Sequence, residues 1–251
     1  MAEAIKILTW NIWNYNQWEA RKPYLAECIN EINADIVALQ EVRYNYLQGP
    51  HQALELAENL EGYTMAVQPA AVETHHWEGL AILSKYPITR VNYWGLSRDP
   101  KDLEDAPHQR IVLGVEVDCA GVPMCLFNSH WSLSQVARIR TAQEALGFME
   151  VFARANDRTI LMGDFNAEPH EEAIKVIKES NLGLTDSWEK LHGDVHGGTW
   201  EIPSLKERLD YIFHGKGLSL VSCERVGLEP NQAGVYPSDH TGLVAEFRLD
   251  G

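Results

Sequence analysis

Two periods of hydrophobic spacing run through the chain. Ile5 to Trp10, Asp35 to Gln40, Tyr63 to Gln68, Glu78 to Ser84, Arg110 to Val117, Pro123 to Ser129, Thr159 to Met162, Leu209 to Phe213, Leu218 to Val226 and Leu243 to Leu249 are short apolar or alternating runs. Such runs predict β-strands. Glu19 to Asn33, residues 51–61, Gln135 to Ala155 and Glu171 to Ser180 have the 3.6-residue spacing of helices, with Leu25, Ile29 and Ile32 as the apolar face of the first. Residues 97–109 are polar and contain proline, and residues 192–204 are rich in His and Gly; both read as loops. The order strand, helix, strand, hairpins occurs twice. It predicts two packed sheets flanked by helices in one domain over residues 1–251.

The ends of the apolar runs carry polar residues of a restricted kind. Asn11, Glu41 and His130 close their runs, Asp164 and Asn166 come just after Met162-Gly163, and Asp239-His240 precede the last strand. Asp210 opens its own. In extended backbone Asp164 and Asn166 share one side; the alternative is an Asx turn. Each residue singly also fits a cap, a solvated strand end or a core histidine. Six such coincidences at the ends of buried segments point to a cleft at one end of the sheets.

These residue types suit metal-assisted hydrolysis of a phosphate ester. Mg²⁺ or Mn²⁺ takes oxygen ligands, which Glu41, Asn11 and Asp239 supply. Asp164 is suited to activating a water. His240, His130, Asn166 and Asn11 offer donors for the charge that develops on phosphorus. A histidine in that role needs a carboxylate behind it: Asp210 for His240, Glu78 for His130. No glycine-rich phosphate loop or G-x-S-x-G elbow is present.

Composition narrows the substrate. The net charge of -15 opposes loose binding to long nucleic acid, which depends on neutralising many phosphates. No apolar run approaches the ~20 residues of a membrane span. Met1 to Lys6 has no basic stretch or apolar core of a leader. Cys28, Cys119, Cys125 and Cys223 lack CxxC spacing and read as reduced core residues of a cytoplasmic protein, with Cys119 and Cys125 as candidate strand partners.

The motifs resemble those of the endonuclease/exonuclease/phosphatase superfamily, over essentially the whole chain. Thr9-Trp10-Asn11, Leu39-Gln40-Glu41-Val42, Glu78-Gly79-Leu80-Ala81-Ile82-Leu83-Ser84, Asn128-Ser129-His130, Gly163-Asp164-Phe165-Asn166, Arg208-Leu209-Asp210-Tyr211-Ile212 and Ser238-Asp239-His240 stand in that family's order. The resemblance implies a deoxyribonuclease I-like, four-layer α/β sandwich: two mixed β-sheets face to face with helices outside. It also implies divalent-metal-dependent P–O cleavage by direct water attack, with Glu41 as main metal ligand and Asn11 at the metal and phosphate. The first motif departs from the abasic-site endonucleases, in which an Asp stands two residues after the Asn; here that residue is Trp13.

The expected function is therefore a phosphodiesterase or related phosphatase acting on a small phosphate ester or a short nucleic-acid end, as a monomer, without long-duplex or membrane binding. The alternatives are a nuclease of the same superfamily and a catalytically silent binding module. Arg110, Trp131, Trp77 and Trp200 are the expected substrate contacts. Trp13, Tyr15, Trp18, His75 and His76 are further loop candidates; the tryptophans equally suit packing of the outer layers.

Overall fold

The computed structural model describes residues 4–47 and 49–249. Met1 to Glu3, part of the segment read for a leader, lie outside the described residues. Twelve strands form two six-stranded sheets. The first sheet contains β1 (Ala4–Asn11), β2 (Ile36–Asn45), β3 (Thr64–Val72), β4 (His76–Ser84), β11 (Leu218–Val226) and β12 (Gly242–Leu249), in the order β11-β12-β1-β2-β4-β3. The second contains β5 (Ile88–Gly95), β6 (Ile111–Cys119), β7 (Val122–His130), β8 (Thr159–Asp164), β9 (Thr185–Asp186) and β10 (Asp210–His214), in the order β5-β6-β7-β8-β10-β9. Each is mixed: β1 and β2 run parallel in one, β7 and β8 in the other, and the remaining pairs are antiparallel.

Both parallel pairs are joined by a crossover helix, α1 (Trp18–Ile32) and α3 (Gln135–Ala153), the connection that parallel strands require. The two β-α-β units are the repeated order legible in the sequence. Between the sheets lies an apolar layer that includes Ile5, Ile7 and Ala245 from one and Leu113, Leu126 and Ile212 from the other. The outer face of the first sheet packs Leu8, Val37 and Leu39 on Leu25 and Ile29 of α1. That of the second packs Phe127 and Leu161 on Ala142, Ala145 and Met149 of α3, with Ile174 of α4 (Glu172–Lys178). The result is the expected four-layer sandwich. No described helix is long and apolar enough to cross a membrane.

Several boundaries differ from the pattern reading. β2 does not stop at Glu41; it continues to Asn45 through a register shift between Leu39 and Val42, with Glu41 at φ 56°. This is a bulge, which re-aims a side chain without ending the strand. β5 has no counterpart among the predicted strands. It is an edge strand with Val91, Tyr93 and Trp94 about half exposed, so no inside–outside alternation marks it. α5 (Ser187–His192) has no predicted counterpart either, although Asp186 caps it by accepting from the Trp188 and Glu189 amides at 3.0 and 3.3 Å. The spacing Asp186 to Glu189 is the capping signal that could have found it. Ile32 is half buried and the inner face of α1 includes Arg21. Cys119 and Cys125 are not paired across strands: Cys119 faces Val122 and Cys125 faces Glu116, and all four cysteines are buried and outside any disulfide.

Candidate active site

The parallel centres of the two sheets end at the same edge of the sandwich, and their last residues meet there. Asn11 ends β1, His130 ends β7 and Asp164 ends β8, with His130 and Asp164 as register partners. Asp210, first residue of β10, faces Asp164 across the antiparallel ladder. Gly163 makes the turn into this edge possible. Its φ is +136°, and a Cβ there would lie 1.9 Å from the Ser129 carbonyl oxygen, so only glycine fits.

Asp164 is the centre of the cluster and is 1% exposed. Its Oδ2 accepts from Asn11 Nδ2 at 2.9 Å and its Oδ1 from the Asn166 backbone N–H at 2.9 Å. His130 Nε2 stands 3.4 Å and His240 Nε2 3.8 Å from the same Oδ2. Burial raises the Asp164 pKa to about 7, against the lowering effect of His240. The carboxylate is thus poised to exchange a proton near neutral pH.

The two histidines are held differently. His240 Nδ1 donates to Asp210 Oδ2 at 2.9 Å. Burial lowers its pKa, but Asp210, Asp164 and Asp239 outweigh that and hold it at about 10, so His240 is an imidazolium. His130 Nδ1 lies 2.8 Å from Arg110 Nη1. A guanidinium only donates, so Nδ1 accepts and the ring proton sits on Nε2, facing Asp164. Burial, then Arg110, pushes the His130 pKa well down. The expected Glu78–His130 pair is corrected: Glu78 binds Arg43 Nε at 2.9 Å and lies 3.8 Å from Arg110 Nη1, so the arginine stands between them.

Glu41 and Asp239 also line the cleft. Glu41 accepts from Asn11 Nδ2 at 3.1 Å and from Asn14 Nδ2 at 2.8 Å. Asp239 accepts from Trp200 Nε1 at 3.3 Å. Burial, then Glu78, raises the Glu41 pKa; burial also raises that of Asp239. Neither carboxylate has a cation at ion-pair distance among the described residues. Two desolvated carboxylates, neither bonded to a cationic side chain among the described residues, fit a hard divalent cation. Asn11 fits less well: its Oδ1 accepts from the Trp13 amide at 2.9 Å, so its amide nitrogen, a donor, faces the carboxylates of Glu41 and Asp164. Asp164, Asp210 and His240 also bring potential ligand atoms within 4.8 Å of one another. Within that group, however, His240 Nδ1 and Asp210 Oδ2 are already bonded to each other.

The cleft holds about 690 Å³. Of the expected substrate contacts, Arg110 and Trp200 line it. Trp131 does not: it is fully buried, stacked on Phe165 at 4.2 Å. Trp77 lies outside the cleft lining, against Tyr44 and His51. Trp13 lines the cleft, Tyr15 does not, and Trp18 is buried. His75 and His76 are not cleft residues either. Asn166 lines the cleft, but by a left-handed turn at φ 48° rather than extended backbone, and its Nδ2 donates to the Trp131 carbonyl at 3.0 Å. Pattern reading missed Asn14, Arg43 and Arg138, all in the lining. Arg43 was findable, two residues after Glu41 on one strand. Asn14 and Arg138 carry no such signal, since the one lies in a loop and the other in the first turn of α3.

The model of the Endonuclease/Exonuclease/phosphatase family matches residues 8–240. Nocturnin from Homo sapiens is 26% identical over 97% of this chain, which spans 65% of that protein's length. Tyrosyl-DNA phosphodiesterase 2 from Mus musculus is 30% identical over 99% of this chain and 67% of its own. The solved human nocturnin catalytic domain with bound sulfate superposes with a TM-score of 0.78 at 24% identity, covering 100% of this chain and 96% of that one, a likeness of fold.

Proposed function

The chain belongs to the endonuclease/exonuclease/phosphatase family of phosphoester hydrolases, and on that premise we propose that its cleft cleaves a small phosphodiester by direct attack of a water that Asp164 activates. The carrying observation is the placement of one desolvated carboxylate, Asp164, between a neutral histidine, a cationic histidine and an asparagine amide. Asp164 takes the proton of the attacking water as the new P–O bond forms and the ester P–O bond breaks. The cationic His240 and the Nε2–H of His130 face the phosphate oxygens as negative charge grows there. Asp210 holds His240 charged, and Arg110 fixes the His130 tautomer. Asn11 holds Asp164 in place. Glu41 and Asp239 would hold Mg²⁺ or Mn²⁺, which when bound supplies Lewis-acid neutralisation of phosphate charge.

The lining also speaks to substrate. Arg43 and Arg138 are each bonded to a glutamate, Glu78 and Glu171, and Arg110 lies beside Glu78 and is bonded to His130. With a net charge of -15, this favours a small ester or a short nucleic-acid end over a long duplex. We further propose a cytoplasmic location, on the strength of four buried cysteines outside any disulfide, with the chain's two sheets forming one domain that acts as a monomer.

The test compares bis-p-nitrophenyl phosphate with p-nitrophenyl phosphate under EDTA, Mg²⁺ and Mn²⁺, with Asp164→Asn as control. We expect metal-dependent diester cleavage that falls ~10²- to 10⁴-fold in the variant while Mn²⁺ binding persists. Wild-type rates in Asp164→Asn would remove it from the water-activating role, and preference for the monoester would make the protein a phosphatase.

A further inference from the structure

Arg21 lies on the inner face of α1 and is 1% exposed, a buried cation with no ion-paired acid among the described residues. All five of its N–H donors are satisfied by backbone carbonyls. Nε donates to Asn16 O at 2.6 Å, and Nη1 to Ile12 O at 2.9 Å and Pro237 O at 2.8 Å. Nη2 donates to Trp13 O at 3.2 Å and Asn14 O at 3.1 Å. The guanidinium also lies 5.1 Å from the Trp13 ring centroid and 5.7 Å from that of Trp18. Burial lowers its pKa only to about 10, so it stays charged.

The five carbonyls are not a random set. Four belong to the loop after Asn11, in which Trp13, Asn14 and Gln17 take left-handed φ of 55°, 40° and 48°. Non-glycine residues in that region persist only where the surroundings over-determine them. The fifth, Pro237, begins the segment that delivers Asp239 and His240. That segment is tied to β1 by two further bonds, Ser238 Oγ to Asn11 O at 2.6 Å and Trp10 Nε1 to His240 O at 3.0 Å. The loop after Asn11 in turn supplies Asn14 to Glu41.

We propose that Arg21 is a positioning residue for the cation-binding wall of the cleft: one guanidinium fixes, through backbone carbonyls, both the loop that steers Glu41 and the segment that presents Asp239. It touches neither substrate nor metal. No other side chain can replace it, because lysine has three donors on one atom and cannot span five carbonyls in a plane. This rests on the reading of Glu41 and Asp239 as the cation wall.

The experiment uses Arg21→Lys and Arg21→Ala, with Arg90→Lys, remote from the cleft, as control. Mn²⁺ affinity is measured by titration, and turnover of bis-p-nitrophenyl phosphate as kcat and KM. Expected is a ~10- to 100-fold loss of Mn²⁺ affinity and of kcat in both Arg21 variants at temperatures where each is folded. Partial recovery of Arg21→Ala by free guanidinium, below unfolding concentrations, is also expected. Arg90→Lys keeps wild-type values. Wild-type Mn²⁺ affinity in folded Arg21→Lys, or losses that track its melting temperature alone, would overturn the proposal. Should Arg21→Ala fail to fold, Arg21→Lys decides. Failure of the underlying reading is separable: wild type itself would then bind no Mn²⁺ at the wall, and Glu41→Gln would change nothing.

Discussion

Replacing Asp210 by asparagine should move the basic limb of the pH–rate profile. In the wild type the His240 pKa stands at about 10 although burial opposes its charge. A rise from the ordinary ~6.5 is worth on the order of 4–5 kcal/mol at ~1.4 kcal/mol per unit. Asp210 is the largest source, with its Oδ2 2.9 Å from Nδ1. Two unit charges ~4 Å apart at an effective dielectric of ~20 interact by about 4 kcal/mol, or roughly 3 units. Asp164 and Asp239 contribute the remainder and stay in the variant. His240 in Asp210→Asn should therefore lose its proton ~2–3 units lower, near pH 7–8. With the same metal in both proteins, kcat should be closest in the acid range and diverge ~10- to 100-fold at pH 9. The fold gives an independent reading. A folded pKa raised above the unfolded one contributes stability that is complete below the unfolded value near 6.5 and lost as pH rises through about 10. The variant's deficit in urea unfolding should accordingly be largest below pH 6.5 and shrink towards pH 10. An unchanged basic limb in Asp210→Asn, with intact circular dichroism, would refute the reasoning.

Two other substitutions probe the metal wall and the strand edge. Glu41→Gln keeps an acceptor for Asn11 and Asn14 but removes the charge, so Mn²⁺ affinity should fall ~10- to 100-fold by titration. The metal-free protein should be no less stable at pH 8, because burial raises the Glu41 pKa and its ionised form costs stability above pH ~4.5. Gly163→Ala places a Cβ 1.9 Å from the Ser129 carbonyl oxygen at φ +136°. It should cost about 3 kcal/mol or more in urea unfolding, and a loss below ~1 kcal/mol would show that the β7–β8 edge yields.

The sandwich was legible because buried strands and crossover helices leave strong periods. Thr159 to Met162 has no reading but a core strand, and Gln135 to Ala155 no reading but a helix. β5 escaped because an edge strand with exposed Tyr93 and Trp94 buries too little to impose alternation. The polar residues at strand ends were legible because a carboxylate or histidine beside a buried run is anomalous in itself. What stayed hidden was the wiring between them. That Arg110, not Glu78, bonds His130 depends on the register of β6 against β7, in which Val112 faces Ser129. Trp131 was assigned to the cleft by adjacency to His130, yet the chain turns there and buries it against Phe165. The Glu41 bulge has no composition signal: only the register of β4 against β2 reveals it.

The position of β12 bears on how the protein is made. β12 lies between β1 and β11, so β1 waits for it along one whole edge. Trp10 and His240, which meet in the finished fold, are 230 residues apart. At ~5–20 residues per second of synthesis the interval is on the order of 10–50 s. Throughout it, β1 on a nascent chain has unpaired N–H and C=O groups along that edge, the condition under which strands pair wrongly. β12 also comes directly after the Asp239-His240 pair. The closure that shields the edge of β1 thus delivers the last two site residues, and a ribosome-bound chain gains its reactive cleft only when that liability ends.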